Sequence, residues 1–317
     1  MLTRTRAIIQ YASDLHLEFR GAVAWPTLLR PVAPILVLAG DLGNPQCQEY
    51  RNFLHWSSRN WAHVIVIAGN HELYNKKHAS AWKHIAAELI STRDERLAAC
   101  EEVSKAFTNV HFLQQKRVDI NGIAFLGCTL WTDLSSPTDA STAIQGMNDY
   151  NYISIKEKQK ATPADTTKWH QEDRAWLSTE LSACNEMGTP AVVVTHHVPS
   201  RRLISPRFQH SPLNCCFAAA DCEDLIQAPV RAWIYGHTHQ AATQSLNNVQ
   251  MVVNPAGYPG ETTGYCREMV VDISASNWPV DERLVELISS SNADEVKSAS
   301  SPESQTSEDS QQSLVWV

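Results

Sequence analysis

Short apolar runs recur along the chain: Ala7 to Ala12, Ile35 to Ala39, Val64 to Ala68, Ala191 to Thr195, Ala232 to Tyr235 and Val249 to Val253. Each is about strand length, and together they are rich in Ile and Val. None alternates strictly between apolar and polar positions, so the pattern predicts strands covered on both faces. Helical stretches lie between them. Lys77 to Phe107 is mostly Ala, Leu, Lys and Glu, with no Gly or Pro. Asp165 to Cys184 spaces Trp169, Trp176, Leu177 and Leu181 close to a helical repeat. Asn121-Gly122 separates Arg117 to Ile120 from Ile123 to Gly127, which predicts a hairpin. A short helix is expected at Glu223 to Gln227 and a last core strand at Glu268 to Ile273. Strands alternating with helices, plus a hairpin, make an α/β layered domain.

The pattern stops after about Leu287. Residues 288–317 are rich in Ser, Glu, Asp and Gln, with almost no large apolar residue before Leu314. Such a segment cannot bury enough surface to offset its ordering entropy. The expected organisation is therefore one domain over 1–287 and a disordered acidic tail over 288–317, with Leu314 to Val317 a frayed end.

Charge and cysteine content narrow the function classes. The net charge is −8, and the eight acidic and two basic residues from Asp281 onward carry −6 of it. The body is near neutral, which argues against a broad nucleic-acid-binding face. None of the eight cysteines forms a C-x-x-C pair, so reduced thiols are expected rather than a zinc cluster. Met1 to Gln10 has no apolar stretch of signal-peptide length, and the longest apolar runs are far short of a membrane span. These features predict a cytoplasmic protein.

The candidate chemistry sits where the strands end. They run into Ser13-Asp14-Leu15-His16, Gly40-Asp41, Gly69-Asn70-His71-Glu72, Thr195-His196-His197-Val198-Pro199 and Gly236-His237-Thr238-His239. That edge of an α/β sheet is where ligands bind. Carboxylate, amide oxygen and imidazole suit Mn, Fe, Ni or Zn. Asp14 and His16 are two apart, so an extended backbone would point both to one side, and His237 and His239 repeat the arrangement. Gly40, Gly69 and Gly236 would let the backbone turn sharply beside the ions. Each piece alone is weak; five in order, each after an apolar strand, are not chance.

The order D-x-H, G-D, G-N-H-E, H-H-x-P, G-H-T-H resembles the calcineurin-like metallophosphoesterase superfamily over roughly Tyr11 to Tyr258. Three further segments resemble a bacterial and phage branch of mostly unassigned substrate: Gly127 to Asp133, Asn148-Asp149-Tyr150 and Asn254 to Tyr258. The resemblance implies two packed mixed β-sheets flanked by helices, a four-layer αββα sandwich. It implies that Asp14, His16 and His239 bind one metal, that Asn70, His196 and His237 bind a second, and that Asp41 bridges both. His71 is then the candidate that protonates or hydrogen-bonds the leaving oxygen. Of the adjacent His196 and His197, the family pattern favours His196. Many members carry an acidic residue three after the bridging Asp, where this chain has Asn44; an effect around the ligands, not loss of the metal, is expected. Gly43-Asn44-Pro45 also departs from the Asp-Arg-Gly segment of the Ser/Thr protein phosphatases and argues against that branch.

The implied activity is phosphate-ester hydrolysis by a hydroxide held between two cations, with a small or nucleotide-like diester as substrate. A phosphomonoesterase, a nuclease and a dead binding scaffold are the alternatives. Outside the motifs, Arg201 and Arg202 could hold a phosphate or be a solvated loop pair. Asn148, Asp149 and Tyr150 could border the site or cap a helix. His55, His63, His78, His84, His111, His170 and His210 are taken as surface or packing residues, and Cys215, Cys216 and Cys222 as buried thiols.

Overall fold

The computed structural model describes residues 7–21, 24–75 and 91–274. Its strands are β1 (Ile8–Ala12), β2 (Ile35–Leu38), β3 (His63–Val66), β4 (Val110–Phe112), β5 (Lys116–Ile120), β6 (Ile123–Cys128), β7 (Ser154–Lys156), β8 (Gln159–Lys160), β9 (Ala191–Thr195), β10 (Val230–Tyr235), β11 (Ala242–Leu246), β12 (Val249–Val253) and β13 (Val270–Asp272). One sheet has the order β13-β1-β2-β3-β4, parallel except for β13. The other has the order β11-β12-β10-β9-β6-β5, with four parallel central strands and an antiparallel strand at each edge. β7 and β8 form a separate ribbon.

The sheets pack face to face. Ile9, Tyr11, Val37 and Ile65 of the first share a buried cluster with Phe125, Val192, Val194 and Ile234 of the second. The outer face of the first sheet lies under helices Gln48–Asn60 and Arg93–Lys105, through Phe53, Leu54, Cys100 and Val103. The outer face of the second lies under helix Pro163–Glu186, through Leu177, Leu181 and Cys184. Every central strand is thus covered on both sides, which is why the runs do not alternate. The layers are helix, sheet, sheet, helix, as expected.

Local signals place the boundaries. Asn121 and Gly122 both hold left-handed φ, 53° and 78°, the pair a tight type I′ hairpin turn requires. Thr162 and Asp165 cap each other's backbone amides, and Pro163 opens the long helix. The expected helix over Lys77 to Phe107 is described only as Arg93–Lys105. It starts at a capping box of Thr92 and Glu95, and residues 76–90 lie outside the described residues. The expected boundary at Leu287 and the tail beyond it lie outside them too. The polar edge strand β11 and the three-residue β4 carry too little apolar patterning to have been expected.

All eight cysteines are free. Among the described residues no helix is long and apolar enough to cross a membrane.

Candidate metal centre

The parallel strands of both sheets end in loops that meet at one place. β1, β2 and β3 deliver Asp14, His16, Asp41, Asn70 and His71; β9 and β10 deliver His196, His237 and His239. The backbone is not extended there, contrary to the expectation for the two D-x-H and H-x-H pairs. Asp14, His16, Asp41, His237 and His239 hold left-handed φ of 51°, 44°, 56°, 72° and 45°. Non-glycine residues rarely adopt that region. It is this curl, not strand alternation, that turns the paired side chains inward. The glycines also act partly otherwise than expected. Gly40 does turn, at φ 85°, but Gly69 has no positive φ. It is small because a Cβ there would land on the Asp41 carboxylate.

Asp14, His16 and His239 form a first cluster whose donor atoms lie within 4.8 Å of one another. His16 Nε2 and His239 Nε2 are 3.1 Å apart. The other nitrogen of each ring faces a carboxylate: His239 Nδ1 meets Glu261 at 2.7 Å and His16 Nδ1 meets Glu18 at 3.4 Å. Carboxylates accept, so those Nδ1 atoms carry hydrogens and each Nε2 is turned toward the other ring. Asp14 Oδ1 adds a carboxylate oxygen, 3.5 Å from His239 Nε2. Burial works against a second proton on His239, but Asp14 and Glu261 push its pKa up to about 10.

Asp41, His196 and His237 form the second cluster, with the same spread. His196 Nδ1 donates to the Ala39 carbonyl at 2.9 Å. Its Nε2 then faces Asn70 Oδ1 at 3.2 Å and Asp41 Oδ2 at 3.3 Å. Here too imidazole nitrogen and carboxylate oxygen converge. Burial opposes charge on His196, yet Asp41 beside it raises its pKa to about 9. His237 is held well below the usual imidazole range by burial and by His197 and His196. Its Nε2 is buried with no hydrogen-bond partner. Burial alone would raise Asp41, but His196 and His71 hold it well below the usual carboxylate range. Asp41 Oδ2 lies 3.9 Å from His16 Nε2 as well, so it stands between the clusters. Converging imidazole nitrogens and carboxylate oxygens, and a buried imidazole nitrogen with no hydrogen-bond partner, are what a divalent cation satisfies. The residues present fit a two-ion centre.

His71 lies beside both clusters. Its backbone N–H donates to Asp41 Oδ1 at 2.9 Å. Its Nδ1 faces Glu18 Oε1 at 3.0 Å, and its Nε2 faces the Tyr258 hydroxyl at 3.1 Å. Burial opposes a charged ring here, but Asp41 and Glu18 raise its pKa above the ordinary value. Glu72 binds no cluster atom. Its carboxylate accepts from the backbone N–H groups of Asp41 (3.0 Å), Leu42 (2.7 Å), Gly43 (3.3 Å) and Gly69 (2.7 Å). It ties the β2 loop to the β3 loop and so fixes Asp41 against Asn70. Asn44 turns its Oδ1 onto the Gln46 backbone N–H at 2.8 Å.

Other candidates stay outside. His197 faces the Thr129 carbonyl at 3.3 Å and joins no metal-competent group among the described residues. Arg201 and Arg202 are exposed, and Arg202 pairs with Glu223 at 3.6 Å, as a solvated loop pair does. His170 is a packing residue, buried between the Leu130 carbonyl and Asp221. Asn148 makes no side-chain cap; its neighbour Asp149 instead reaches Asn70 at 2.9 Å. Glu18, Glu72, Glu261 and Tyr258 were not singled out by sequence reasoning. Glu18 and Glu72 lie within the D-x-H-x-E and G-N-H-E segments, where acidic residues beside a metal motif are a usable signal. Nothing local marks Glu261.

A family model described as calcineurin-like phosphoesterase matches residues 11–241. An uncharacterized protein, L509, of Acanthamoeba polyphaga mimivirus is 25% identical over 285 residues, which is 84% of this chain and 96% of that protein. The crystal structure of a phosphopantetheinyl hydrolase from Mycobacterium tuberculosis aligns at a TM-score of 0.59 and 21% identity, over 80% of this chain and 90% of that one.

Proposed function

The chain belongs to the calcineurin-like phosphoesterase family, whose members are metal-dependent phosphoester hydrolases, and from that premise we propose that it is a phosphodiesterase acting on a small or nucleotide-like ester. In this reading Asp14, His16 and His239 hold one divalent cation. Asn70, His196 and His237 hold a second, and Asp41 is shared. The observation that carries the assignment is the convergence of imidazole nitrogens and carboxylate oxygens in both clusters, above all His16 Nε2 and His239 Nε2 at 3.1 Å. The nitrogen and oxygen donors suit Mn, Fe, Ni or Zn. When bound, the ions supply Lewis acidity to the phosphoryl oxygens and acidify a water at the same place.

The chain's own residues do the rest. Glu261 and Glu18 hold His239 and His16 in the tautomer that presents Nε2. Glu72 keeps the two loops in register. Glu18 fixes His71 through Nδ1, so that Nε2, which faces the Tyr258 hydroxyl, is the atom that hands a proton to the leaving oxygen. General acid help of this kind contributes typically ~10²–10⁴-fold. Among the described residues no lysine or arginine pairs with the cluster side chains, which suits a diester monoanion better than a monoester dianion. The free cysteines support a reducing compartment, the cytoplasm.

The test is a stripped enzyme given Mn²⁺, Ni²⁺, Zn²⁺ or Mg²⁺ and assayed on bis-p-nitrophenyl phosphate beside p-nitrophenyl phosphate. Diester cleavage that needs metal and is absent in Asp41→Ala supports the reading. A strong monoester preference assigns the site to a phosphomonoesterase instead. Absence of turnover with any metal, despite two bound ions, removes the diesterase reading for these substrates.

A further inference from the structure

Asn70 is the one amide among the proposed ligands, and an amide can face a cation in two ways. Its oxygen is a donor to metal; its NH₂ group is not. Something must choose between them.

The surroundings of Asn70 supply the choice. Its Nδ2 donates to Asp149 Oδ1 at 2.9 Å and to the Tyr74 hydroxyl at 2.9 Å. The amide nitrogen therefore faces two oxygens to which it donates. The Tyr74 hydroxyl donates its own hydrogen to the same Asp149 Oδ1 at 2.8 Å. The three side chains close a triangle, buried throughout. A carboxylate only accepts, so reversing the Asn70 amide would set oxygen against oxygen. The triangle leaves Asn70 Oδ1 directed at His196 Nε2, 3.2 Å away.

The backbone makes this placement stiff. Asp149 opens the short helix Asp149–Tyr152. The residue after that helix, Ile153, pairs with Tyr74 through an isolated bridge. Asn75 N–H donates to the Tyr152 carbonyl at 3.0 Å, and Asn75 Nδ2 reaches the same oxygen at 3.2 Å. The segment that carries Asp149 is thus stitched to the one that carries Asn70.

We propose that Asp149, with Tyr74, is the positioning element of the second metal site: it holds the Asn70 amide with oxygen toward the cation. Asp149 touches no reacting atom and acts through Asn70. The proposal rests on the assignment of Asn70 as a ligand.

The experiment reads metal binding, not turnover. Chelator-stripped protein is titrated with Mn²⁺ by calorimetry, and bound metal is counted after dialysis. Asn70→Ala comes first; if it still binds two ions with unchanged affinity, the ligand assignment fails and the proposal falls with it. With that assignment intact, Asp149→Leu removes the acceptor. It should weaken one ion about 10–100-fold, the usual effect of losing an outer partner of a ligand, and leave the other unchanged. Asp149→Asn should restore binding to within a few-fold, because its amide oxygen can accept from both Asn70 and Tyr74. Tyr74→Phe, which keeps the ring, should weaken the same ion several-fold. Wild-type affinity in Asp149→Leu overturns the proposal. So does equal weakening in Asp149→Leu and Asp149→Asn, which would make the charge, not the orientation, the relevant property. Loss of both ions together in Asp149→Asn and Tyr74→Phe would assign the triangle to fold maintenance and also overturn it.

Discussion

Glu18 Oε1 lies 3.0 Å from His71 Nδ1 and 3.4 Å from His16 Nδ1, so one carboxylate orients both the proposed acid and a proposed ligand. The two imidazoles hold Glu18 itself down to about 2 against the effect of burial. It stays charged at any pH the enzyme meets. Asn44 stands where many members carry an acidic residue. The carboxylate beside His71 is Glu18, in the short helix Leu17–Arg20 that follows β1.

His71→Ala should keep both metals and lose roughly 10²–10⁴-fold in kcat on a diester with an alkyl leaving group. On bis-p-nitrophenyl phosphate, whose leaving group needs little protonation, the loss should be much smaller. The measurement is kcat across a series of leaving groups, with metal content determined in parallel. An equal loss on good and poor leaving groups would remove the acid role.

Metal removal should lower stability as well as activity. Ions that bind only the folded state add to its stability. At 1,000 times Kd that addition is about 4 kcal/mol per site. The Tm of stripped protein should rise with added Mn²⁺ and approach a logarithmic dependence on its concentration. A Tm indifferent to Mn²⁺ would count against the two-ion reading.

Glu72→Gln should destabilise the fold by about 3 kcal/mol, because an NH₂ group would then face two of the four backbone donors that the carboxylate now satisfies. Urea unfolding in the presence of chelator separates this effect from metal loss. A change below about 0.5 kcal/mol, the range of an ordinary surface substitution, would mean the loop tie is dispensable.

Asp173 gives a pH prediction away from the metals. Burial raises its pKa from 3.8 to about 6, although Gln114, Gln115 and the Leu130 N–H all donate to it. The folded pKa exceeds the unfolded one, so the folded state binds more protons between those values. Stability is therefore lost as pH rises from 4 to 6. The charged form costs about 3 kcal/mol above pH 6, at 1.36 kcal/mol per pK unit. The stability of wild type relative to Asp173→Asn should fall by about 2.4 kcal/mol between pH 4 and pH 7, the rest being lost below pH 4. A constant difference across that range would show that the carboxyl is not shifted.

Much of the candidate centre was legible because the proposed ligand types sit within a few residues of strands that the apolar runs already mark. Asp14, Asp41 and His196 could be read that way, and the two-sided burial of β2 and β9 could be read from their unbroken runs. What tertiary structure decides could not be read. Glu261 is 22 residues from His239, yet its carboxylate selects that ring's tautomer. Asp149 is 79 residues from Asn70. The left-handed backbone at Asp14 and His16 was likewise hidden, since period-two spacing in sequence suggests the opposite conformation.

Those five left-handed residues have a consequence for how the protein can be improved. Each is held away from its preferred dihedrals, at of order 1–3 kcal/mol, by the two-sheet core beneath it. Replacing Asp14, His16, Asp41, His237 or His239 with glycine would relax the chain and remove a donor in the same step. A selection for heat resistance would therefore be drawn to the positions that a selection for turnover must protect. Stabilising substitutions are better sought on the outer helices, where the two demands do not meet.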